Sequence, residues 1–394
     1  MSMQKNQKTG AKHPVHGYGQ RQNIYKKPEK NEESNEAEII NARKNIRGRG
    51  ALDNPTGRFE RLLTEDDIES FEDEDVEGRQ IETQIFIDKT KSIVTTNDSP
   101  DVGMEASVNP YRGCEHGCVY CFARPTHEYF ELSAGLDFES KIFAKPEAPR
   151  LLAEKLGSKS WEPKVLMLSG VTDCYQPLER KLKITRGCFE VLRDFRNPAA
   201  IVTKNFLVTR DIDIFQDMAK HDLIKVNISL TTLDGDLARK MEPRASQPHL
   251  KIKAIEMLAK ANVPVGIMMG PIVPGLTDHE IPNVIKAAAD AGAITAYHTI
   301  LRLPWGVKDL FENWIREHYP DKAERVLNRV RAIRGGKLYE SDFEVRMAGR
   351  GIFAEQIHTM FALYKKKNGL DRRWRGLSVE HFRRDARGGQ TSLF

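Results

Sequence analysis

Three of the chain's five cysteines, Cys114, Cys118 and Cys121, fall within eight residues of the stretch NPYRGCEHGCVYCFARP, which runs from Asn109 to Pro125. Thiolates ligate zinc and iron–sulfur clusters. Gly113 and Gly117 let the backbone wrap tightly around whatever the sulfurs hold. A structural zinc takes four ligands, and four-cysteine sites come as two spaced pairs. Here no fourth cysteine is near, and the neighbouring imidazoles, His116 and His127, lack finger-like spacing. On a four-iron cluster, three thiolates leave one iron open to a small molecule. The missing thiol then reads as a vacant coordination position. Zinc and ordinary surface cysteines stay open as alternatives.

A site of this kind needs a scaffold. The chain has 394 residues and is 40% hydrophobic, enough to bury a sizeable core. Its longest uncharged stretch, Val263 to Thr277, is interrupted by Pro264, Gly266, Gly270, Pro271, Pro274 and Gly275, so no membrane span is expected. Residues 1 to 35 lack the apolar segment of a signal peptide. A cytoplasmic location follows as the expectation, with the five cysteines pointing to metal or redox chemistry more than to a disulfide framework. The net charge of +5 is mild but uneven: Glu65 to Glu77 carries nine acids and no base, and Lys365 to Phe394 carries nine Lys or Arg against three acids. The basic end suggests a polyanionic partner.

The expected fold is α/β. Residues 1–52 are polar, without the apolar groups needed to offset ordering entropy, and are expected to be disordered. Residues 53–102 read as a partly ordered strap. Over 103–303 short apolar runs alternate with amphipathic helical stretches: the strands expected are Ala106 to Pro110, Val165 to Val171, Ala199 to Thr203, Val226 to Thr231, Val265 to Met269 and Ala293 to Thr299. Six such units predict a partial (βα)6 TIM-type barrel, with a doubly wound sheet as the alternative. Either way, the chemistry belongs at the carboxyl ends of the strands. Residues 304–367 read as a C-terminal helical cap and 368–394 as a basic flexible tail.

With these residues in view, the chain resembles the radical S-adenosylmethionine superfamily. The C-x3-C-x2-C spacing with an aromatic, Tyr120, before the last cysteine carries the resemblance. The stretches VTDCYQPLER, IVTKN, SLTTLDGDLARKMEPRAS and GIMMGPIVPGLTD extend it to the branch related to spore photoproduct lyase, over roughly residues 80 to 365. The resemblance implies a [4Fe-4S] cluster on Cys114, Cys118 and Cys121, and S-adenosylmethionine chelating the open iron. One electron from an external donor of the flavodoxin or ferredoxin type then generates a 5′-deoxyadenosyl radical. It places Tyr120 near the adenine, Thr172 and Asp173 at the methionine amino group, Lys204 at the carboxylate, and Ser229 and Thr231 near the ribose or carboxylate. Glu242 and Arg244 in EPRAS lie close by the same reasoning.

One departure matters. The lyase carries its hydrogen-donor cysteine just before the acidic pair, where this chain has Gly170 and Val171. The nearest thiol is Cys174, which is expected either to return a hydrogen to a product radical or to be a small buried residue. Cys188 lies on the apolar face of the following helix and reads as core.

The last five residues, QTSLF, resemble the peptide by which bacterial replication and repair proteins dock on the sliding clamp, with Leu393 and Phe394 entering an apolar pocket and Gln390 bonding its rim. Arg372, Arg373, Trp374, Arg375, Arg383 and Arg384 would add phosphate contacts and a stacking aromatic on DNA. The function expected is radical chemistry on nucleic acid, akin to DNA repair. Radical modification of RNA or of a protein side chain, and a zinc-stabilised nucleic-acid-binding module, remain as alternatives.

Overall fold

The computed structural model describes residues 49–51, 81–100, 103–343, 345–371 and 374–385. The acidic run, Arg372, Arg373 and the QTSLF peptide lie outside the described residues, as does nearly all of 1–52.

Six strands run parallel: β3 (Ala106–Val108), β6 (Leu166–Leu168), β7 (Ala199–Thr203), β8 (Ile224–Ser229), β9 (Val265–Ile272) and β10 (Thr295–Ile300). Each pairs with the next in chain order, and β2 (Val94–Thr96) joins antiparallel outside β3. A doubly wound sheet would reverse direction part-way, as this order does not. The architecture is a partial TIM-type barrel.

Alternation along the strands divides the residues between two faces. On β8, Val226 and Ile228 join the main hydrophobic core. Ser229 turns the other way, where its hydroxyl meets the Lys204 ammonium. The core is completed by helices laid over the sheet. The helix Ile184–Asp194 buries Ile184, Cys188, Phe189 and Leu192, and Phe189 meets Phe215 of the helix Ile212–Ala219 edge to face, with centroids 4.9 Å apart. Burying each side chain of this size contributes roughly 1.5–3 kcal/mol.

Three elements outside the barrel matter for the site. Between the first two barrel strands the chain adds β4 (Tyr111–Arg112) and β5 (Lys141–Ala144), which form a small sheet with β1 (Gln84–Ile87) from ahead of the barrel, in the order β1-β5-β4. The helices Val307–His318 and Pro320–Ile333 bury Phe311, Trp314 and Leu327 in a second apolar cluster that also contains Cys118, Val119 and Tyr120. These two helices therefore back the cysteine loop. The helix Ile352–Lys367 sends Ala354, Ile357 and Phe361 into the main core.

The part of the basic tail that is described is held in place. Ser378 N donates to Asp222 O at 3.0 Å, Arg383 N to Phe195 O at 2.9 Å, and the Arg383 and Arg384 guanidiniums to the carbonyls of Asp194 and Trp161, each at 2.8 Å. The Lys225 ammonium lies 4.6 Å from the Trp374 ring centroid. These acceptors precede β6, β7 and β8, so the segment crosses the amino-terminal side of the sheet, away from the strand ends that carry chemistry. Among the described residues no helix is long and apolar enough to cross a membrane.

Candidate active site

A cavity of about 320 Å³ opens at the carboxyl ends of the parallel strands. One wall is the loop after β4. Gly113 and Gly117 adopt φ of 77° and 66°, a region that penalises any side chain. A Cβ on Gly117 would also lie 2.6 Å from Glu139 Oε2. The turns close through Gly117 N to Cys114 O at 3.4 Å and Cys121 N to Cys118 O at 3.2 Å, and the loop is tied down by Cys114 N to Phe138 O at 2.9 Å. Cys114, Cys118 and Cys121 are free thiols lining this one cavity. Burial pushes the Cys114 and Cys118 thiols above their ordinary range, with Lys204 opposing it at Cys118.

Neither imidazole completes a fourfold set. The His116 ring hydrogen-bonds through Nε2, 3.3 Å from Asn205 Nδ2, and its Nδ1 lies 3.3 Å from the Asp173 carboxylate. His127 is packed against Phe130, Phe138 and Phe143, its Nε2 2.9 Å from Lys141 O. Burial lowers its pKa to about 4. Among the described residues no three His, Cys, Asp or Glu side chains converge on a single metal position.

The facing wall is polar. Lys204, first residue after β7, donates from Nζ to Ser229 Oγ, last residue of β8, at 2.8 Å. Burial alone would lower its pKa, but Glu242, Cys118 and Asp173 hold it above the usual lysine range, so it stays charged. Glu242 accepts from Lys251 Nζ at 2.5 Å, from Thr231 Oγ1 at 2.8 Å and from the Tyr120 hydroxyl. Burial opposes its ionisation, yet Lys251 and Lys204 hold its pKa at about 2. Tyr120 thus presents a ring fixed from behind by a buried carboxylate.

Asp173 is committed within the protein. Oδ1 accepts from Thr203 Oγ1 at 2.8 Å and Tyr175 N at 2.9 Å; Oδ2 accepts from Lys204 N at 2.7 Å and faces His116. Burial would raise its pKa, but His116 and the two backbone donors bring it to about 2. Three hydrogen bonds, with the His116 ring alongside, occupy most of the roughly four acceptor positions of a carboxylate. These contacts fix the backbone of Lys204, while the resemblance places Asp173 at the cofactor's amino group.

The structure brings Tyr120, Thr172, Asp173, Lys204 and Ser229 into the same cavity as the three thiols. Four residues singled out from the sequence stand elsewhere: Glu242 backs Tyr120 from behind the wall, and Arg244 lies outside the lining with its Nη2 3.2 Å from Glu115 Oε1. Thr231 lies behind the wall, bonded to Glu242. Cys174 is fully buried in the main core, its thiol is not part of the cavity lining, and its backbone is held by Ser169 Oγ and Thr185 Oγ1. The loop from β6 turns it inward because Ser169 takes a left-handed φ of 72° and bonds Cys174 N. Of the two readings of Cys174, hydrogen donor or small buried residue, this placement favours the second. Cys188 is core.

Sequence reasoning missed the mouth. Phe122, next after the last cysteine and 44% exposed, lines it with Arg302, whose guanidinium lies 4.4 Å from the ring centroid. Met104, Met167, Met268 and Met347 add a soft, adaptable lining. Only the adjacency of Phe122 to Cys121 was a signal; Arg302 arrives from 180 residues away through β10.

A family model described as the radical SAM superfamily matches residues 108–288, which include the cysteine loop and the strand ends from β3 to β9. The chain belongs to the radical S-adenosylmethionine superfamily. An uncharacterised protein of Mycobacterium bovis is 31% identical over 261 residues, covering 66% of this chain and 74% of its own. One from Methanocaldococcus jannaschii is 26% identical over 248 residues, covering 63% and 89%. Among solved structures, spore photoproduct lyase complexed with a dinucleoside spore photoproduct superposes with a TM-score of 0.51 at 14% identity, over 72% of this chain and 78% of that one. A variant of the same lyase gives 0.52 at 13% identity, over 73% and 79%. Such identities show a shared fold.

Radical SAM proteins use a [4Fe-4S] cluster with S-adenosylmethionine, and an external electron donor. The residues present fit that pair: three free thiols on one wall of the cavity and a part-buried lysine, held charged, on the facing wall.

Proposed function

We propose that this chain is a radical S-adenosylmethionine enzyme acting on nucleic acid, with Cys114, Cys118 and Cys121 as the cluster ligands. The observation that carries the proposal is the placement of these three thiols around one cavity with the charged Lys204.

When bound, the cluster and S-adenosylmethionine supply a 5′-deoxyadenosyl radical that removes a hydrogen atom from substrate. The protein's share is binding and orientation. Lys204 offers a compact positive charge suited to a carboxylate, and Ser229 and Asp173 hold its two ends. Tyr120 presents a flat face for an adenine, and Thr172, whose hydroxyl donates to Tyr111 O at 2.9 Å, forms the adjoining edge. Phe122 and the four methionines make the cavity lining largely apolar, which favours exclusion of water once ligands fill it and so protects a reactive radical from side reactions.

Three features support nucleic acid as substrate. Phe122 and Arg302 offer at the mouth an exposed aromatic ring with a cation over one face, residue types that single-stranded nucleic acid uses. The lyase of the same fold is complexed with a dinucleoside photoproduct. The QTSLF peptide would bring the chain to DNA through a sliding clamp. With Cys174 outside the cavity, photoproduct reversal with a thiol donor is not the reaction proposed. The electron donor is of the flavodoxin or ferredoxin type.

Anaerobic reconstitution with iron and sulfide, followed by mass spectrometry of nucleosides with and without UV-damaged DNA, tests the proposal. Formation of 5′-deoxyadenosine that increases with DNA and disappears in Cys118→Ala supports it. Turnover that responds only to RNA or a peptide would redirect it, and colourless, iron-free protein would end it.

A further inference from the structure

A buried ion pair outside the cavity lining grips the cysteine loop. Glu139 and Arg124 are both fully buried, with Arg124 Nη2 donating to Glu139 Oε1 at 2.5 Å. The other Arg124 donors reach Cys118 O at 2.9 Å, Ala134 O at 3.1 Å and Gly135 O at 2.9 Å. The carboxylate in turn holds a segment remote in sequence: Gly50 N donates to Oε2 at 2.9 Å and Ala51 N to Oε1 at 2.7 Å. Arg49 secures the same segment through Nη1 to Glu139 O at 2.5 Å and Nη2 to Ile81 O at 2.7 Å.

The fit is tight. A Cβ on Gly50 would fall 1.6 Å from Gly117 O, so only glycine lets this segment lie flat on the loop. One carboxylate therefore fixes two neighbours in the loop: Cys118 through Arg124, and Gly117 through the Gly50 contact. Burying such a pair is costly, and replacing it with apolar groups is often neutral for stability. Its chemistry here is geometric: it sets where the Cys118 backbone stands, and it covers that backbone with chain.

We infer that Glu139, together with Arg124 and the segment Arg49–Ala51, is a positioning device that preorganises Cys118 for cluster binding and shields the outer side of the loop. The inference rests on the cluster reading above. It predicts that the loop loosens locally, without loss of the barrel, when the clamp is released.

The test uses the full-length, cluster-free chain and two variants, Gly50→Ala and Glu139→Gln. Alkylation of each cysteine is followed by mass spectrometry, with fully buried Cys188 as the internal control. Cys118 is expected to label about tenfold faster in both variants, the size of effect that losing one or two buried hydrogen bonds gives, while Cys188 stays at its wild-type rate. In reconstituted protein, iron loss to a chelator is expected to accelerate in parallel. Unchanged Cys118 labelling in the variants, or a rise matched by Cys188, would overturn the inference, because general destabilisation exposes both thiols alike. Should Glu139→Gln fail to fold, Gly50→Ala leaves the buried pair intact and decides alone. A wild-type chain that takes up no cluster would sink the functional reading while leaving the labelling result to stand.

Discussion

Lys204 and Ser229 meet across neighbouring strand ends, Nζ donating to Oγ at 2.8 Å, with Asp173 Oδ2 accepting from the Lys204 backbone at 2.7 Å. The lysine is thus fixed at both ends before any ligand arrives, which lowers the entropy cost of binding. Lys204→Met is expected to weaken S-adenosylmethionine binding to the reconstituted protein by about 10- to 100-fold, as for loss of a charge-assisted hydrogen bond. Lys204→Arg should not restore it, since a planar fork does not fit a point-charge site. Equilibrium dialysis measures both. Wild-type affinity in Lys204→Met would remove the lysine from the cofactor site.

Cys174 makes an opposite prediction. Because its thiol lies in the core and not on the cavity, Cys174→Ala is expected to cost roughly 1 kcal/mol of stability while leaving 5′-deoxyadenosine formation within about twofold. Chemical denaturation and product quantification read the two effects separately. Unchanged stability with loss of product would return Cys174 to the catalytic cycle.

The helix Ile352–Lys367 is latched to β10 by His298 Nε2 and His358 Nδ1, 2.7 Å apart. His298 faces His358, the Phe361 ring at 4.1 Å and the charge of Lys365. Burial first, then His358 and Lys365, depress its pKa to about 4 from an ordinary 6.5. Between these values the unfolded chain binds the proton that the folded chain refuses, so stability is full above pH 6.5 and declines as pH falls toward 4. The loss is expected to reach up to about 3 kcal/mol. Denaturant unfolding at pH 7 and pH 4.5 checks it: His298→Asn should flatten the difference, and an equal pH slope in wild type and variant would contradict the latch.

Tyr120, Thr231 and Lys251 all converge on Glu242. Tyr120→Phe removes one donor from a buried carboxylate and is expected to destabilise the chain by about 1–3 kcal/mol, with the ring still available to stack. Thermal unfolding and cofactor binding should therefore part company, the first falling and the second changing little. A large loss of binding with unchanged stability would move the hydroxyl from support to direct contact.

How much of this was legible in the sequence depends on range. The parallel strands announce themselves through apolar runs, and Lys204 follows Thr203 at the end of one, so its place at the strand ends could be reasoned out. The three cysteines carry their own spacing. What stayed hidden is set by contacts between distant segments. Glu139 and Arg49 are 90 residues apart, and nothing local distinguishes either from a solvated charge. Arg383 and Arg384 read as phosphate contacts, but they bond backbone carbonyls nearly two hundred residues upstream or more. Strands as short as Tyr111–Arg112 are too brief for period-two patterning to register. Cys174 turned inward because of a left-handed Ser169, a conformation that a serine does not advertise.

The most direct measurement is the metal content and electron paramagnetic resonance of the anaerobically reconstituted, reduced chain, before and after S-adenosylmethionine. The account predicts about four iron and four sulfide per chain, with a signal that changes when the cofactor binds the open iron and is absent in Cys114→Ala, Cys118→Ala and Cys121→Ala. One zinc per chain without labile sulfide, or a cluster signal indifferent to S-adenosylmethionine, would contradict it.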